Sequence, residues 1–455
     1  MKISLFKRLF NLSIILCVIS QLQAQNYSIE LNSNVSAKES LPFFLRANKF
    51  GAIPNSNNIL LNTAIFSDFK NSGQLIDFSY KASITGYVAD KNDVFINELY
   101  GSFLINNIQV DLGSKNDNIQ FEGLSVSNGN IIKSINARTY PGINIKTKNY
   151  ITLPFAKKWL SAKVNYAEYF LNDKRVVDNA GLHHKSLYLK SVLNSKLELI
   201  IGLDHYVQWR GTSEEFGKQP SSFKDYLKII SGSEGGESSN SGEQVNALGN
   251  HVGNYLVQLN HMGKQLNWNF YLSHPFEDAS GRELSNYPDA LYGLFFDLKK
   301  PNSIISHVLF EYQHTKHQGR ATSPNKLSDN YFNNTIYQSG WTYFGNTIGS
   351  PFFVPKDPVN GITNGIAQSR FSSFNLGLKG VLTTNIQYKT SITFTNYVGW
   401  FNEDFSENQF SPYLELFYKN NKIPFDISVG TAADFGDFLP TNVGGFIKLT
   451  KTGAF

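Results

Sequence analysis

Beyond its first two dozen residues the chain is patterned with a period of two. In DFSYKASITGYV, Phe78, Tyr80, Ala82, Ile84, Gly86 and Val88 fall on one face. Asp77, Ser79, Lys81, Ser83 and Thr85 fall on the other. Leu197, Leu199, Ile201 and Leu203 alternate with Lys196, Glu198 and Gly202, and the same alternation returns at Tyr292 to Leu298, Ile304 to Phe310 and Ile386 to Val398. Successive side chains of a strand point to opposite faces, so this pattern predicts strands with one apolar and one polar side. No apolar run after residue 24 reaches the roughly 18 residues a transmembrane helix needs.

Soluble β-sandwiches alternate too. Two features separate this chain from them. Many predicted strands run to about ten residues, the length of a tilted membrane strand and about twice the globular average. The apolar faces also carry Phe and Tyr near strand ends, as interfacial girdles do. In lipid an open sheet edge would leave backbone groups without partners, so the sheet has to close. The expected fold is all-β: a large closed antiparallel transmembrane β-barrel of about 18 strands with minor helical segments. The count reaches its even value if Tyr27 to Val35 pairs with the rest.

Connections alternate between short and long. Short turns are expected at Asn71 to Gly73, Asn106-Asn107, Leu193 to Lys196, His261 to Lys264, Lys299 to Ser303 and Asn420 to Lys422. Long links are expected at 114–141, 172–185, 204–252, 273–290, 313–369, 400–411 and 432–441. Barrels of this kind have short periplasmic turns and longer extracellular loops. The long links then face outward, and the last strand, from Val443, runs inward to Phe455. A terminal phenylalanine on the closing strand resembles the signal read by the barrel-assembly machinery, which makes that machinery and outer-membrane lipid expected partners.

The N-terminus reads as a secretory signal peptide over residues 1–24. Lys2, Lys7 and Arg8 precede an apolar core from Leu9 to Ile19, and Gln23-Ala24 precedes Gln25 at a small-residue cleavage site. Residues 25–455 are expected to form one domain. Cys17 is the only cysteine, and it lies inside the signal. No thiol nucleophile, thiolate ligand or disulfide follows it. Charged residues are 17% of the chain and aromatics 14%, against about 25% charged in soluble domains. Removing the three basic residues of the signal from the chain's 41 leaves 38 against 36 acidic ones. That balance argues against nucleic acid as a partner.

Two outward segments are candidates for function. In the first, Ser221-Ser222 is placed to cap a short helix from Phe223 to Ile230, followed by a Gly/Ser-rich loop from Ser231 to Gly242. The second is dense in Asn, Tyr and Gly. Aromatic rings stack on sugar C–H faces while Asn, Asp and Arg bind hydroxyls, so such a loop suits a polysaccharide. The plainer reading is a surface loop whose aromatics pack into the barrel mouth. Candidate binding residues are Trp209 and Arg210 on the first segment and Tyr331, Trp341 and Tyr343 on the second. The segment Leu41 to Pro54 departs from alternation and reads as a plug or a loop packed in the lumen, where Arg46, Asn48 and Lys49 suit a polar interior.

Catalytic readings find little support. His183-His184 and His314-Thr-Lys-His317 invite a metal, but the first pair has no carboxylate near it in sequence and the second has helical spacing without a helix. Solvated or girdle histidines are expected at both. Glu214-Glu215 are adjacent and cannot face each other across a glycosidic bond. There is no GxSxG, HExxH or P-loop. No cofactor and no metal site is expected, although a Ser/His/Asp set gathered from separate strands stays open.

Particular words carry a resemblance. LPFFLRANKFGAIP (Leu41 to Pro54), GEQVNALGNHVGNYLVQLN (Gly242 to Asn260), PDALYGLFFDLKKPNSIISHVLFEYQHTKHQ (Pro288 to Gln318) and DNYFNNTIYQSGWTYFGNTIGSPFF (Asp329 to Phe353) follow in this order. Together they resemble the capsule assembly Wzi family of Gram-negative outer-membrane proteins, over nearly the whole chain after the signal. The resemblance implies a single-chain barrel that binds and anchors capsular or extracellular polysaccharide at the cell surface, as a lectin and not an enzyme. An outer-membrane porin for small solutes or oligosaccharides is the alternative, and an outer-membrane hydrolase a third class.

Overall fold

The structure is a computed structural model, and it describes residues 25–70, 75–237, 239–245, 247–277, 279–319, 329–401 and 403–455. The signal segment and the turn at Asn71 to Gly73 lie outside the described residues.

Eighteen strands form one antiparallel wall. The first nine are β1 (Asn26–Ser36), β2 (Asn58–Ser67), β3 (Ile76–Val88), β4 (Asp93–Ile105), β5 (Ile108–Ser114), β6 (Gly142–Thr147), β7 (Leu160–Phe170), β8 (Gly181–Asn194) and β9 (Leu197–Trp209). The rest are β10 (Asn250–Met262), β11 (Asn267–Phe276), β12 (Ala290–Asp297), β13 (His307–His314), β14 (Phe371–Thr383), β15 (Ile386–Val398), β16 (Ser406–Tyr418), β17 (Asp426–Gly436) and β18 (Asn442–Ala454). Ile151–Thr152 continues β6, because both pieces pair with β7. Each strand pairs with its chain neighbours, and β18 closes the wall on β1 from Asn26↔Ala454 to Ser36↔Gly444. Tyr27 to Val35 is therefore a full member of the barrel.

The wall is inside out relative to a soluble protein. Its apolar positions are the open ones: Ile29, Leu31, Ile59, Leu61, Ile201, Phe394 and Ile447 are each at least 44% exposed. Its polar positions are buried, among them Asn34, Ser83, Thr85, Glu98, Asp111, Asp204, Glu311, Thr393 and Ser411. Lipid on the outside and a polar lumen inside, crossed by inner segments and holding a polar cavity of about 750 Å³, are the conditions under which that arrangement is stable.

The longest connections gather at one end as expected, but the alternation is not strict: the link 89–92 at that end is short and the link 148–159 at the other end is long, and boundaries shift. The strands extend further toward the long-loop end than the sequence indicated: β9 runs on through His205, Val207 and Trp209, and β16 begins at Ser406. The 204–252 link therefore shrinks to 210–249 and the 400–411 link to 399–405. Polar residues at the rim of the wall hid these strand ends from an apolar-polar count.

Three outward links fold back into the lumen: 37–57, carrying helix α1 (Phe43–Arg46), 115–141, and the described parts of the third, 315–319 and 329–370. Phe43, Leu124, Val126, Ile131, Ile132, Tyr331, Phe332, Trp341, Phe352 and Phe353 form one apolar cluster with wall residues Tyr206, Tyr271, Leu309, Phe371 and Tyr397. The Leu41 to Pro54 segment thus lies within the barrel. Asn48 donates to the Val126 carbonyl (2.5 Å), and Lys49 stands 5.6 Å from the centre of the Tyr413 ring. The remaining described α-helices are α2 (Phe223–Ser231), α3 (Ser241–Val245) and α4 (Ala279–Arg282), and single 3-10 turns lie at Phe121–Gly123 and Pro154–Ala156.

Candidate functional site

Wall carboxylates hold the inner segments. Glu311 on β13 is buried and accepts from Ser125 Oγ (2.6 Å), the Val126 amide (3.0 Å), Ser127 Oγ (2.8 Å) and Tyr271 OH (2.8 Å). Asp434 on β17 accepts from the Phe43 amide (2.9 Å) and Ser411 Oγ (2.6 Å). Asp204 on β9 accepts from Asn130 Nδ2 (3.0 Å) and Tyr188 OH (2.5 Å). A buried carboxylate is costly unless its oxygens are hydrogen-bonded, and bonds to a charged acceptor are among the strong ones. These pegs fix where each segment docks.

The outward cap rests on that base. Asp289 accepts from the Tyr331 hydroxyl (2.9 Å) and the Gln318 amide (2.7 Å), and Asn286 donates to Tyr331 OH (2.7 Å). Trp341 Nε1 donates to the Ile132 carbonyl (2.6 Å), joining the cap to the inner segment. Tyr343 donates to Asn172 Oδ1 and meets Tyr140 edge-on at 5.7 Å. Burial, and then the Asp289 carboxylate, hold the Tyr331 phenol well above its ordinary pKa; burial and then Asp173 do the same for Tyr343. Both stay protonated donors.

Tyr331, Trp341 and Tyr343 are 0%, 0% and 1% exposed. Their rings face the core of the cap and offer no surface to a polymer in this structure. Trp209 is the last residue of β9, is buried, and packs its ring against Tyr226 of α2 at 5.1 Å on the outer wall. The Arg210 guanidinium lies over the Phe170 ring at 4.8 Å. The five residues singled out from composition thus occupy two separate places, the cap interior and the outer rim.

One aromatic of the cap does face out. Thr342–Tyr343 and Asn346–Thr347 pair as a hairpin whose two-residue turn is Phe344-Gly345. Both turn residues have positive φ, 48° and 78°. This is the turn that matches strand twist, and it suits Gly345. Phe344 is a bulky residue in the left-handed region, where a side chain costs about 1–2 kcal/mol. Its ring is 42% exposed. Asp173 accepts from its amide (3.1 Å) and pairs with buried Arg175 (3.0 Å). Arg138 stacks over the ring at 4.7 Å and bonds Asp93 (3.4 Å). Asn172 and Lys174 are exposed on the neighbouring link, and Lys174 donates to the Asn360 carbonyl (2.7 Å). The guanidinium is also stacked on Phe95 at 3.5 Å and is mostly covered, so the exposed polar group nearest the hairpin is Asn172, whose Oδ1 accepts from Tyr343. An exposed ring beside an amide is a surface suited to sugars. No motif marks Phe344; only the hairpin's turn geometry tells it from Tyr343 beside it.

The first histidine pair divides: His183 lies on the outward stripe, as a girdle residue would, and His184 faces the lumen. His183 Nδ1 lies 2.5 Å from Glu168, His184 Nε2 lies 3.3 Å from Asp204, and His314 Nδ1 lies 2.8 Å from Asp289. Their carboxylates come from neighbouring strands and a loop, which spacing along the chain does not reveal. His183 is buried and His184 stacks on Tyr206 at 3.8 Å, so neither is solvated. Among the described residues no group of three or more His, Cys, Asp or Glu side chains is arranged to hold a metal.

A closed, lipid-faced β-barrel with a lumen crossed by packed segments and a structured outward cap defines an integral outer-membrane protein. The family model for capsule assembly protein Wzi matches residues 24–354, well over half the chain, and the chain belongs to that family. Among solved structures it is similar to Wzi of Escherichia coli, described as an outer-membrane carbohydrate-binding β-barrel involved in group 1 capsule assembly. The TM-score is 0.60 at 14% identity, covering 96% of this chain and 87% of that one. It is also similar to OccK5 of Pseudomonas aeruginosa, with TM-score 0.51 at 9% identity over 95% and 98% of the two chains. At such identities these likenesses show the fold alone. No curated protein matches the sequence.

Proposed function

We propose that the outward cap binds extracellular or capsular polysaccharide and holds it at the cell surface without cleaving it. The observation that carries this reading is Phe344, an aromatic kept exposed at a strained turn on an otherwise buried hairpin. Strain retained at a surface position points to a use for that position. Exposed Asn172 supplies a polar partner on the neighbouring link, and Arg138, stacked between Phe95 and Phe344, holds the ring in place. The buried aromatics Tyr331, Trp341 and Tyr343 act as the frame, while Trp209 and Arg210 lie apart on the outer rim. A long repeating polymer offers many equal units, so weak contacts on many barrels add up by avidity. Family membership and the description of Escherichia coli Wzi as carbohydrate-binding support the same assignment.

The porin alternative needs an open path, and the cluster of Ile131, Ile132, Trp341 and Phe353 across the lumen speaks against one. A hydrolase needs paired acid and base at an accessible cleft; the carboxylates nearest Phe344 among the described residues, Asp93 and Asp173, are each paired with an arginine. The exposed ring of Phe455, 5.2 Å from Tyr27 at the closing seam, fits a contact for the assembly machinery.

The test is co-sedimentation of purified barrel with surface polysaccharide from the same strain, against its single repeat unit. Polymer should bind and the single repeat only weakly. Phe344→Gly should reduce binding about fivefold, the scale of one exposed stacking contact. Equal binding by Phe344→Gly and by Arg138→Gln would overturn the site.

A further inference from the structure

The outer wall carries a polar band where lipid would be expected. On β7, β8 and β9 the outward stripe below the rim is apolar: Val164, Leu187 and Leu203 stand side by side and are exposed. One step toward the long-loop end the same stripe reads Tyr166, Lys185 and His205, and the next step reads Glu168, His183 and Val207. His251 of β10 continues the band opposite Val207. Charged and imidazole groups facing hydrocarbon are costly, so the acyl region ends between these steps.

Helix α2 lies across this band. Its start is fixed by Ser222 and Asp225, which bond each other's backbone amides (3.2 and 2.9 Å), and its end by Gly232 at φ 67°. Tyr226 donates to Glu168 (2.6 Å), with Tyr166 OH 2.5 Å away, and Lys185 donates to the Ile230 carbonyl. Ile229 is buried against Val207, Trp209 and Leu248. The helix is thus clamped to the wall by one side. One flank is open, with Phe223 76% and Leu227 51% exposed one turn apart, and Lys224 is exposed beside them, whereas Lys228 is half-buried with its ammonium beside Gly236. Lys224 and Lys228, also one turn apart, form the adjoining stripe.

We propose that α2 is an interfacial anchor for anionic lipid of the outer leaflet. Phe223 and Leu227 enter the acyl layer, continuing the apolar belt of Val164, Leu187 and Leu203 beneath them. Lys224 meets the negative head groups. An amphipathic helix of this kind lies in the interface plane and gains from both apolar burial and charge. The anchor sets the height of the barrel in the membrane and so of the cap above it. It does not depend on what the cap binds.

Residues 25–455 contain no cysteine, so single spin labels report cleanly. Phe223→Cys, Leu227→Cys and, as a loop control, Ser221→Cys are labelled in the chain of residues 25–455 in nanodiscs of phosphatidylcholine with or without phosphatidylglycerol. Labels at 223 and 227 should collide with oxygen far more than with a neutral nickel chelate, unlike the label at 221. Lys224→Gln should shift the 227 label toward the chelate about fivefold in the anionic discs, and much less in the zwitterionic ones. A chelate-accessible label at 227 overturns the proposal. So does a label shielded from both reagents that broadens with protein concentration, which would mean a second copy of the chain covers the helix. An equal effect of the lysine change in both discs overturns the anionic-lipid assignment.

Discussion

Trp341 Nε1 donates to the carbonyl of Ile132 at 2.6 Å, linking residues 209 positions apart in the chain. The bond ties the outward cap to the segment that crosses the lumen, so cap shape and lumen seal depend on one another. Trp341→Phe should cost about 1 kcal/mol, the value of one buried hydrogen bond. Trp341→Ala should cost about 3–5 kcal/mol through the cavity left behind. Thermal unfolding of the purified barrel and polymer binding should fall together in the alanine variant.

Phe344 should behave in the opposite way. Phe344→Gly removes a side chain from a left-handed turn, so the hairpin should gain about 1 kcal/mol. Binding should weaken while stability holds or rises. A variant that loses both would place Phe344 in the frame with Trp341 instead of on the surface.

Glu311 is the peg on which residues 125–127 hang. Glu311→Ala leaves Ser125, Ser127 and Tyr271 without their acceptor inside the wall. Each bond to a charged group contributes about 1.5–3 kcal/mol, so the inner segment should undock often. Planar-bilayer recordings should show quiet wild-type barrels and frequent openings in the variant.

Lys49 makes docking of the first inner segment depend on pH. Burial lowers its pKa from 10.5 to about 8, and neighbouring Lys389 and Lys448 push the same way against Glu415 and Glu30. Between about pH 8 and 10.5 the undocked segment keeps a proton that the docked one has released. Docking is therefore penalised in full below that window and strengthens as pH rises through it. Hydrogen exchange of the Phe50 amide, bonded to the Ile135 carbonyl (2.8 Å), should show protection that grows over that range once intrinsic rates are removed. Lys49→Met should abolish the growth.

The barrel was legible in the sequence because lipid and lumen impose opposite demands on alternate residues, and those demands repeat in every strand. The helix at 223–231 was legible for a local reason, since Ser222 and Asp225 form its capping pair. The lumenal place of Leu41 to Pro54 followed from its break in alternation. What the cap does with its aromatics was not legible. Tyr343 and Phe344 are neighbours of similar composition, and only the backbone turn decides that one is buried and the other open. The partners of His183 and His184 were hidden for a related reason: Glu168 and Asp204 reach them across strands, at separations set by register.

The most direct test is polymer retention on cells in which the gene is deleted and restored with wild type or Phe344→Gly. Cell-bound and shed polysaccharide are measured in each. The account predicts unchanged total polymer, with the deletion shedding it to the medium, wild type restoring it to the surface, and Phe344→Gly restoring it only in part despite normal barrel levels. Cell-bound polymer that is the same in all strains would contradict surface retention as the function of this barrel.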